Sequence, residues 1–254
     1  MMYELQKANM WKRISAALFD LILLVILCVG CAFTISALLD YDSYTAQMET
    51  IREEYAEEYG VSLKLSAEER AALPEEEQAK YAAAEEAFQK DEQIGRLYPM
   101  ILNFTFIIVI FGVLIGYLLL ELAVPLMLGN GQTLGKKVFG VGVMRIDGVK
   151  ISPLLLVTRT ILGKYTVETM VPILILLMMF FGTMDFMMGL VVIGLIWVVQ
   201  LVLVAANQTR TPIHDKLAQT VTVDIASQKI FDNVEALKEY QAKKRAESRD
   251  KTYG

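Results

Sequence analysis

Histidine and cysteine are nearly missing from this chain. The single histidine, His214, cannot build a histidine-based metal cluster, and neither a metal nor a cofactor is expected. The two cysteines, Cys28 and Cys31, stand together in one apolar run. A C-x-x-C spacing supports redox chemistry only in a polar, accessible setting, so inside an apolar helix these thiols read as small packers. No nucleophile–base constellation is evident, and an enzyme is not expected. Gly129 to Lys137 is glycine-rich and basic, but it lacks the G-x-x-x-x-G-K-[ST] spacing of a phosphate loop. The D-x-D-x-D-G pattern of a calcium loop is missing too. Nucleic acid is not an expected partner. Positive charge is scarce between Asp40 and Tyr98, where six Lys and Arg face sixteen Asp and Glu.

Apolar residues, by contrast, are abundant. They make up 55% of the chain, and its mean hydropathy is +0.43. Such values belong to polytopic membrane proteins rather than to soluble domains. A bilayer-crossing helix needs about 20 mostly apolar residues. Four segments qualify: Ile14 to Leu39, about Pro99 to Leu128, about Val167 to Thr183, and about Phe186 to Ala206. The positive residues set a direction. Lys7, Lys12 and Arg13 precede the first span. Lys136, Lys137, Arg145, Lys150, Arg159 and Lys164 lie between the second and third, against Asp147 alone. Nine more Lys and Arg follow the fourth. Both termini are therefore expected in the cytoplasm, with the acidic 40–98 segment outside, in a bacterial plasma membrane. Val29-Gly30-Cys31 has the look of a lipoprotein cleavage site, but Asp20 interrupts the apolar stretch and a retained helix is expected.

The expected fold is all-α: a four-helix transmembrane bundle with a helical extracytoplasmic insert and a small cytoplasmic β pairing. Residues 1–39 form the N-terminus and first span, and 40–98 the acidic insert. Residues 99–206 hold the other spans, with a basic loop at 129–166, and 207–254 a charged C-terminal segment. Ser66 to Glu69 fits a capping box, and Pro74 before Glu75, Glu76 and Glu77 is a helix start. Two or three helices are expected there, the first a candidate continuation of the first span. Tyr55, Tyr59, Tyr81 and Phe88 are candidates to pack them. Val138 to Ile146 and Thr220 to Ile225 alternate and are β-branched, so they can pair.

One residue contradicts the apolar pattern. Asp20 lies about two turns into the first run, seven residues after Arg13. A charge at that depth faces a protein interior and needs a partner. Candidate partners are Arg159, Lys164, Thr133 or a backbone amide. Arg13 and Asp215 are expected to meet through a bidentate pair. Glu121, four residues before Pro125, is a further candidate on a polar pathway, at a helix distortion. Glu168 is expected at the interface near Lys164.

Several segments together resemble the RDD family of membrane proteins, named for one arginine and two aspartates. They are Trp11-Lys12-Arg13 with Asp20, the segment Gln132-Thr133-Leu134-Gly135-Lys136-Lys137, and His214-Asp215-Lys216-Leu217-Ala218 with Thr220 and Val221. Arg159 sits where the family often carries another arginine. The resemblance implies that the named residues are Arg13, Asp20 and Asp215, and that Thr133, Lys136 and His214 belong to its motifs. The insert is much longer than the usual family loop. Transport has been suggested for members, without a common substrate. The resulting expectation is a small ion or solute transporter, coupled to protons or sodium. The alternative is a non-transporting scaffold whose 40–98 insert binds an extracytoplasmic protein. Besides the lipid bilayer, a homo-oligomer is an expected partner, and Gly112-x-x-x-Gly116 offers a close-packing face.

Overall fold

The structure is a computed structural model that describes residues 8–206 and 211–253. Lys7 and residues 207–210 of the C-terminal segment lie outside them. Among the described residues four helical stretches are long and apolar enough to cross a membrane: Met10–Leu38, Glu92–Leu128, Pro153–Phe180 and Phe186–Ala206. The first is α1, and only Ala16, Asp20 and Leu24 are buried along it. These three are spaced four apart, so they form one stripe with Asp20 at its centre. The rest of α1 presents Leu18, Ile22, Ile26 and Phe33 outward. The last of the four stretches, labelled α10 below, does likewise with Trp197, Val198 and Leu201. So large an exposed apolar surface is stable where lipid is the solvent.

The chain divides into two compact units, Val29–Gly112 and the remainder, Met1–Cys28 with Val113–Gly254. In the first, α1 ends at a left-handed residue, Asp40, with φ 51°, so α2 (Tyr41–Tyr59) starts anew and does not continue the span. The capping box forms as expected. Ser66 accepts from the Glu69 amide and Glu69 accepts from the Ser66 amide, opening α3 (Ala67–Ala71). Pro74 stands one place before α4 (Glu75–Lys90), whose first turn holds the three glutamates that favour a helix N-terminus. Asp91 accepts from the Gln93 and Ile94 amides and so caps α5 (Glu92–Tyr117). The apolar core is Ile51, Ile94, Leu97 and Ile101. Tyr55 packs edge-on to Phe88 beside it, 6.1 Å between centroids.

In the second unit, α5 runs on into a wider π-helical segment, π1 (Leu118–Ala123), then α6 (Val124–Leu128). Short α7 (Leu134–Val138) leads to β1 (Val141–Arg145). The third membrane-length stretch is α8 (Pro153–Val157), a 13-residue π segment, π2 (Thr158–Met170), and α9 (Val171–Phe180). It starts well before Val167, inside what reads in sequence as a basic loop. Arg159 and Lys164 depress the hydropathy there, yet both are paired internally, so the segment tolerates a helix. After α10 (Phe186–Ala206) come α11 (Ile213–Leu217), β2 (Thr220–Asp224) and α12 (Val234–Tyr253). β1 and β2 pair antiparallel, with Val143 opposite Thr222. Their apolar residues Val141, Val143, Val221 and Val223 are fully buried. Lys12 reaches Asp224 at 2.7 Å, joining the start of α1 to the sheet.

The glycines of the G-x-x-x-G face are occupied within the chain. A methyl added at Gly112 would lie 3.2 Å from Ala32, and one at Gly116 would lie 2.6 Å from the Cys28 Sγ. Both glycines let α5 approach α1, so this face is not open to a second copy.

Candidate functional site

Charged side chains from five elements converge on a cavity of about 350 Å³ in the second unit. Asp20 comes from α1, Glu121 from π1, Lys136 from α7, Arg159, Lys164 and Glu168 from π2, and His214 and Asp215 from α11. Arg13 lines the same space.

The winding of π2 accounts for the gathering. At about 100° per residue an α-helix would put Lys164 some 140° from Arg159, and Glu168 on the opposite face. A π-helix closes its hydrogen bonds over five residues and turns more slowly, about 80° per residue, which brings Arg159, Lys164 and Glu168 onto one side. Each π segment ends two residues before a proline, at Pro125 and Pro172. Each also carries a buried or half-buried glutamate four residues ahead of that proline: Glu121-Leu122-Ala123-Val124-Pro125 and Glu168-Thr169-Met170-Val171-Pro172. Pro125 has no N–H to offer the Glu121 carbonyl. The buried Thr160 hydroxyl donates to that carbonyl instead, at 3.0 Å.

Three of the four acids take a cationic or imidazole partner. Asp215 meets the Arg159 Nε at 2.7 Å, both of them essentially unexposed. Thr220 and Thr222 donate to its carboxylate as well, at 2.8 and 3.3 Å. Burial pushes Asp215 up, but the Arg159 guanidinium and these donors prevail and hold it below the usual carboxylate range. Asp215 thus takes Arg159 as its partner in place of the expected Arg13. Lys164 bonds Glu121 at 2.5 Å rather than accompanying Glu168. Glu168 instead accepts from the His214 amide at 3.0 Å and sits 2.8 Å from its Nδ1. The His214 Nε2 stands 3.7 Å from Asp215, so one imidazole lies between two carboxylates. Burial keeps this imidazole below its ordinary value. Contact between α11 and π2 is close because Gly163 has no side chain; a methyl there would lie 2.5 Å from the His214 Cβ.

Asp20 differs from the other three. Its Oδ2 accepts from the Thr133 hydroxyl, and its Oδ1 accepts from the Gly135 amide at 2.7 Å. No cation lies within ion-pair distance of it among the described residues. Thr133 also caps α7, accepting from the Lys136 amide. A methyl at Gly135 would lie 2.4 Å from the Ala16 carbonyl and 2.9 Å from Asp20, so only glycine lets α7 lie against α1. The Thr-Leu-Gly-Lys run thus delivers a hydroxyl, a bare amide and a lysine to one point.

Residues 7–219 match the family model described as the RDD family. The chain belongs to the RDD family. No curated protein and no solved structure matches it. The match spans the first-span motif, the insert, the Gln132–Lys137 segment and the His214–Ala218 segment. In this RDD chain Arg159 and the two motif aspartates line one cavity with Arg13. Lys164, Glu168 and Thr222 line it as well, and Thr160 and Thr220 bond to its acids; of these the three threonines escaped the sequence reading. The Glu-x-x-x-Pro spacing that singles out Glu121 recurs at Glu168 and is the signal that could have joined the two.

Proposed function

We propose that this RDD-family protein is a small membrane transporter coupled to protons or sodium, with Asp20 as the coupling group. One observation carries the reading: of four acids around a cavity of about 350 Å³ among membrane-length helices, Asp20 alone is held by neutral donors without a cation or imidazole partner among the described residues. A locked acid resists losing its charge because its cation would be stranded. A carboxylate held by a hydroxyl can gain a proton and keep its bond, since the hydroxyl accepts as readily as it donates. Intramembrane acids lining a cavity are the usual carriers of ion and proton pathways. In this reading Arg159–Asp215 and Lys164–Glu121 are the rigid frame, and Asp20 is the working group. On the same reading both termini lie in the cytoplasm and the acidic insert outside a bacterial plasma membrane, a direction that the distribution of positive residues supports.

The test is flux in reconstituted vesicles, read with proton- and sodium-sensitive dyes. Asp20→Asn keeps the Thr133 and Gly135 contacts, so it should purify as a folded species and carry no flux. Normal flux in that variant, or no proton, sodium or potassium flux in the wild type, would overturn the reading. The second reading, a scaffold that binds an extracytoplasmic protein, is favoured by the insert lying within a compact unit, Val29–Gly112, that has its own core. It predicts a crosslinked partner and no flux.

A further inference from the structure

Lys136 has a role that the coupling reading leaves unused. It is 9% exposed and lines the cavity. Its backbone amide bonds Thr133, but its ammonium makes no hydrogen bond or ion pair among the described residues. An ammonium carries three donors, and this one opens onto the cavity rather than onto a protein partner. The surrounding acids are already engaged: Glu121 by Lys164, Asp215 by Arg159, Glu168 by His214, and Asp20 by Thr133 and Gly135. Burial depresses Lys136 most. Lys164 and Arg159 follow, and together these outweigh Glu121 and Asp20, bringing Lys136 down to about 7. The cations thus outweigh the acids at the ammonium, and Arg13 also lines the cavity. The remaining wall is apolar, from Ile14, Ala17, Leu21 and Val204.

We propose that Lys136 is the recognition point of an anion site in this cavity, taking the singly charged carboxylate or phosphodiester of a small amphipathic molecule. The proposal rests on the transport reading only in taking the cavity to be reachable from outside the protein. An anion stabilises the ammonium over the amine, so binding draws a proton onto Lys136 at neutral pH. Affinity should fall about tenfold between pH 6 and pH 8 for a group titrating near 7. The charged groups that share the cavity with the ammonium are Lys164, Arg159 and Glu168 from π2, Glu121 from π1, Asp20 and Arg13 from α1, and Asp215 from α11. His214, on α11, also lines the cavity, and burial holds it below its ordinary value.

The test uses the full chain in phosphatidylcholine nanodiscs, titrated calorimetrically with butyrate and with dimethyl phosphate. Both probes keep one charge throughout. Two buffers of different ionisation enthalpy report proton uptake. Binding at pH 6, with the tenfold loss at pH 8 and a proton taken up, is the expected result. Lys136→Met should abolish binding while its melting temperature stays at or above wild type, because no partner is stranded. Lys136→Arg should bind with no pH dependence, since arginine stays charged. Discs containing phosphatidylglycerol separate the sources: competition there identifies a lipid headgroup, and unchanged binding identifies a solute. No binding of either probe at pH 6, undiminished binding by Lys136→Met, or an unchanged pH slope in Lys136→Arg would overturn the proposal. Binding that persists in Asp20→Asn without flux keeps this site separate from the coupling group.

Discussion

The insert and the cavity unit use the same charged residue types in opposite ways. In the insert the pairs are short-range and wet: Glu76 with Lys80, Glu86 with Lys90 and Glu92 with Arg96 lie one helical turn apart, and even Lys64 with Glu49 and Arg70 with Glu85 join neighbouring parts of the same insert. Around the cavity the pairs are distant and dry. Arg159 finds Asp215 across 56 residues, and Lys164 finds Glu121 across 43. Surface pairs one turn apart contribute little because water screens them. A buried pair matters mainly through what its loss would strand. Counting ion pairs would rank the insert first, whereas burial reverses that order.

Breaking the comparison at its strong end gives the largest effect. Asp215→Asn leaves the Arg159 guanidinium buried without its counter-charge, at a cost of about 3–5 kcal/mol. Thermal unfolding in detergent should show this at pH 7. Asp215 also sets a pH dependence. Its native value lies below the ordinary 3.8, so its contribution is complete above that pH and is lost as the pH falls through the native value. The gap in melting temperature between wild type and Asp215→Asn should therefore narrow below pH 4. A constant gap would show that charge is not the reason.

An intermediate effect is expected at Gly135. Alanine there meets the Ala16 carbonyl and Asp20, and overpacking of this kind costs about 1–3 kcal/mol. Because the clash bears on Asp20, proton or sodium flux in vesicles should fall further than stability does. Equal losses would make position 135 a packing site only. At the weak end, Lys80→Ala removes an exposed insert pair and should leave the melting temperature unchanged. A measurable drop would put the insert in the same class as the cavity.

Much of this architecture can be read along the chain. The four apolar stretches, the pairing of β1 with β2, and the Ser66–Glu69 box all follow from local pattern, because hydropathy, alternation and capping act over a few residues. The ionic partners do not. Asp215 lies nearer in sequence to His214 and Lys216 than to Arg159, and only the fold decides which cation reaches it. Asp20 shows both sides of the limit. Its burial follows from its apolar setting, and Thr133 and a backbone amide are two of four partners that its position leaves open. The start of the third membrane-length helix is hidden for another reason. Charges spaced for a slower turn look scattered when tested against the period of an ordinary helix, so Pro153 to Val167 reads as a basic loop.

The slow turn of π2 also bears on length. Twenty-eight residues of ordinary α-helix would reach about 42 Å, well beyond a hydrocarbon core of about 30 Å. Wider turns climb less for each residue, so a 13-residue π stretch shortens the Pro153–Phe180 helix without removing any of it. The winding that turns Arg159, Lys164 and Glu168 to one side thus also trims the helix toward the thickness of the bilayer, and less tilt is needed to fit it.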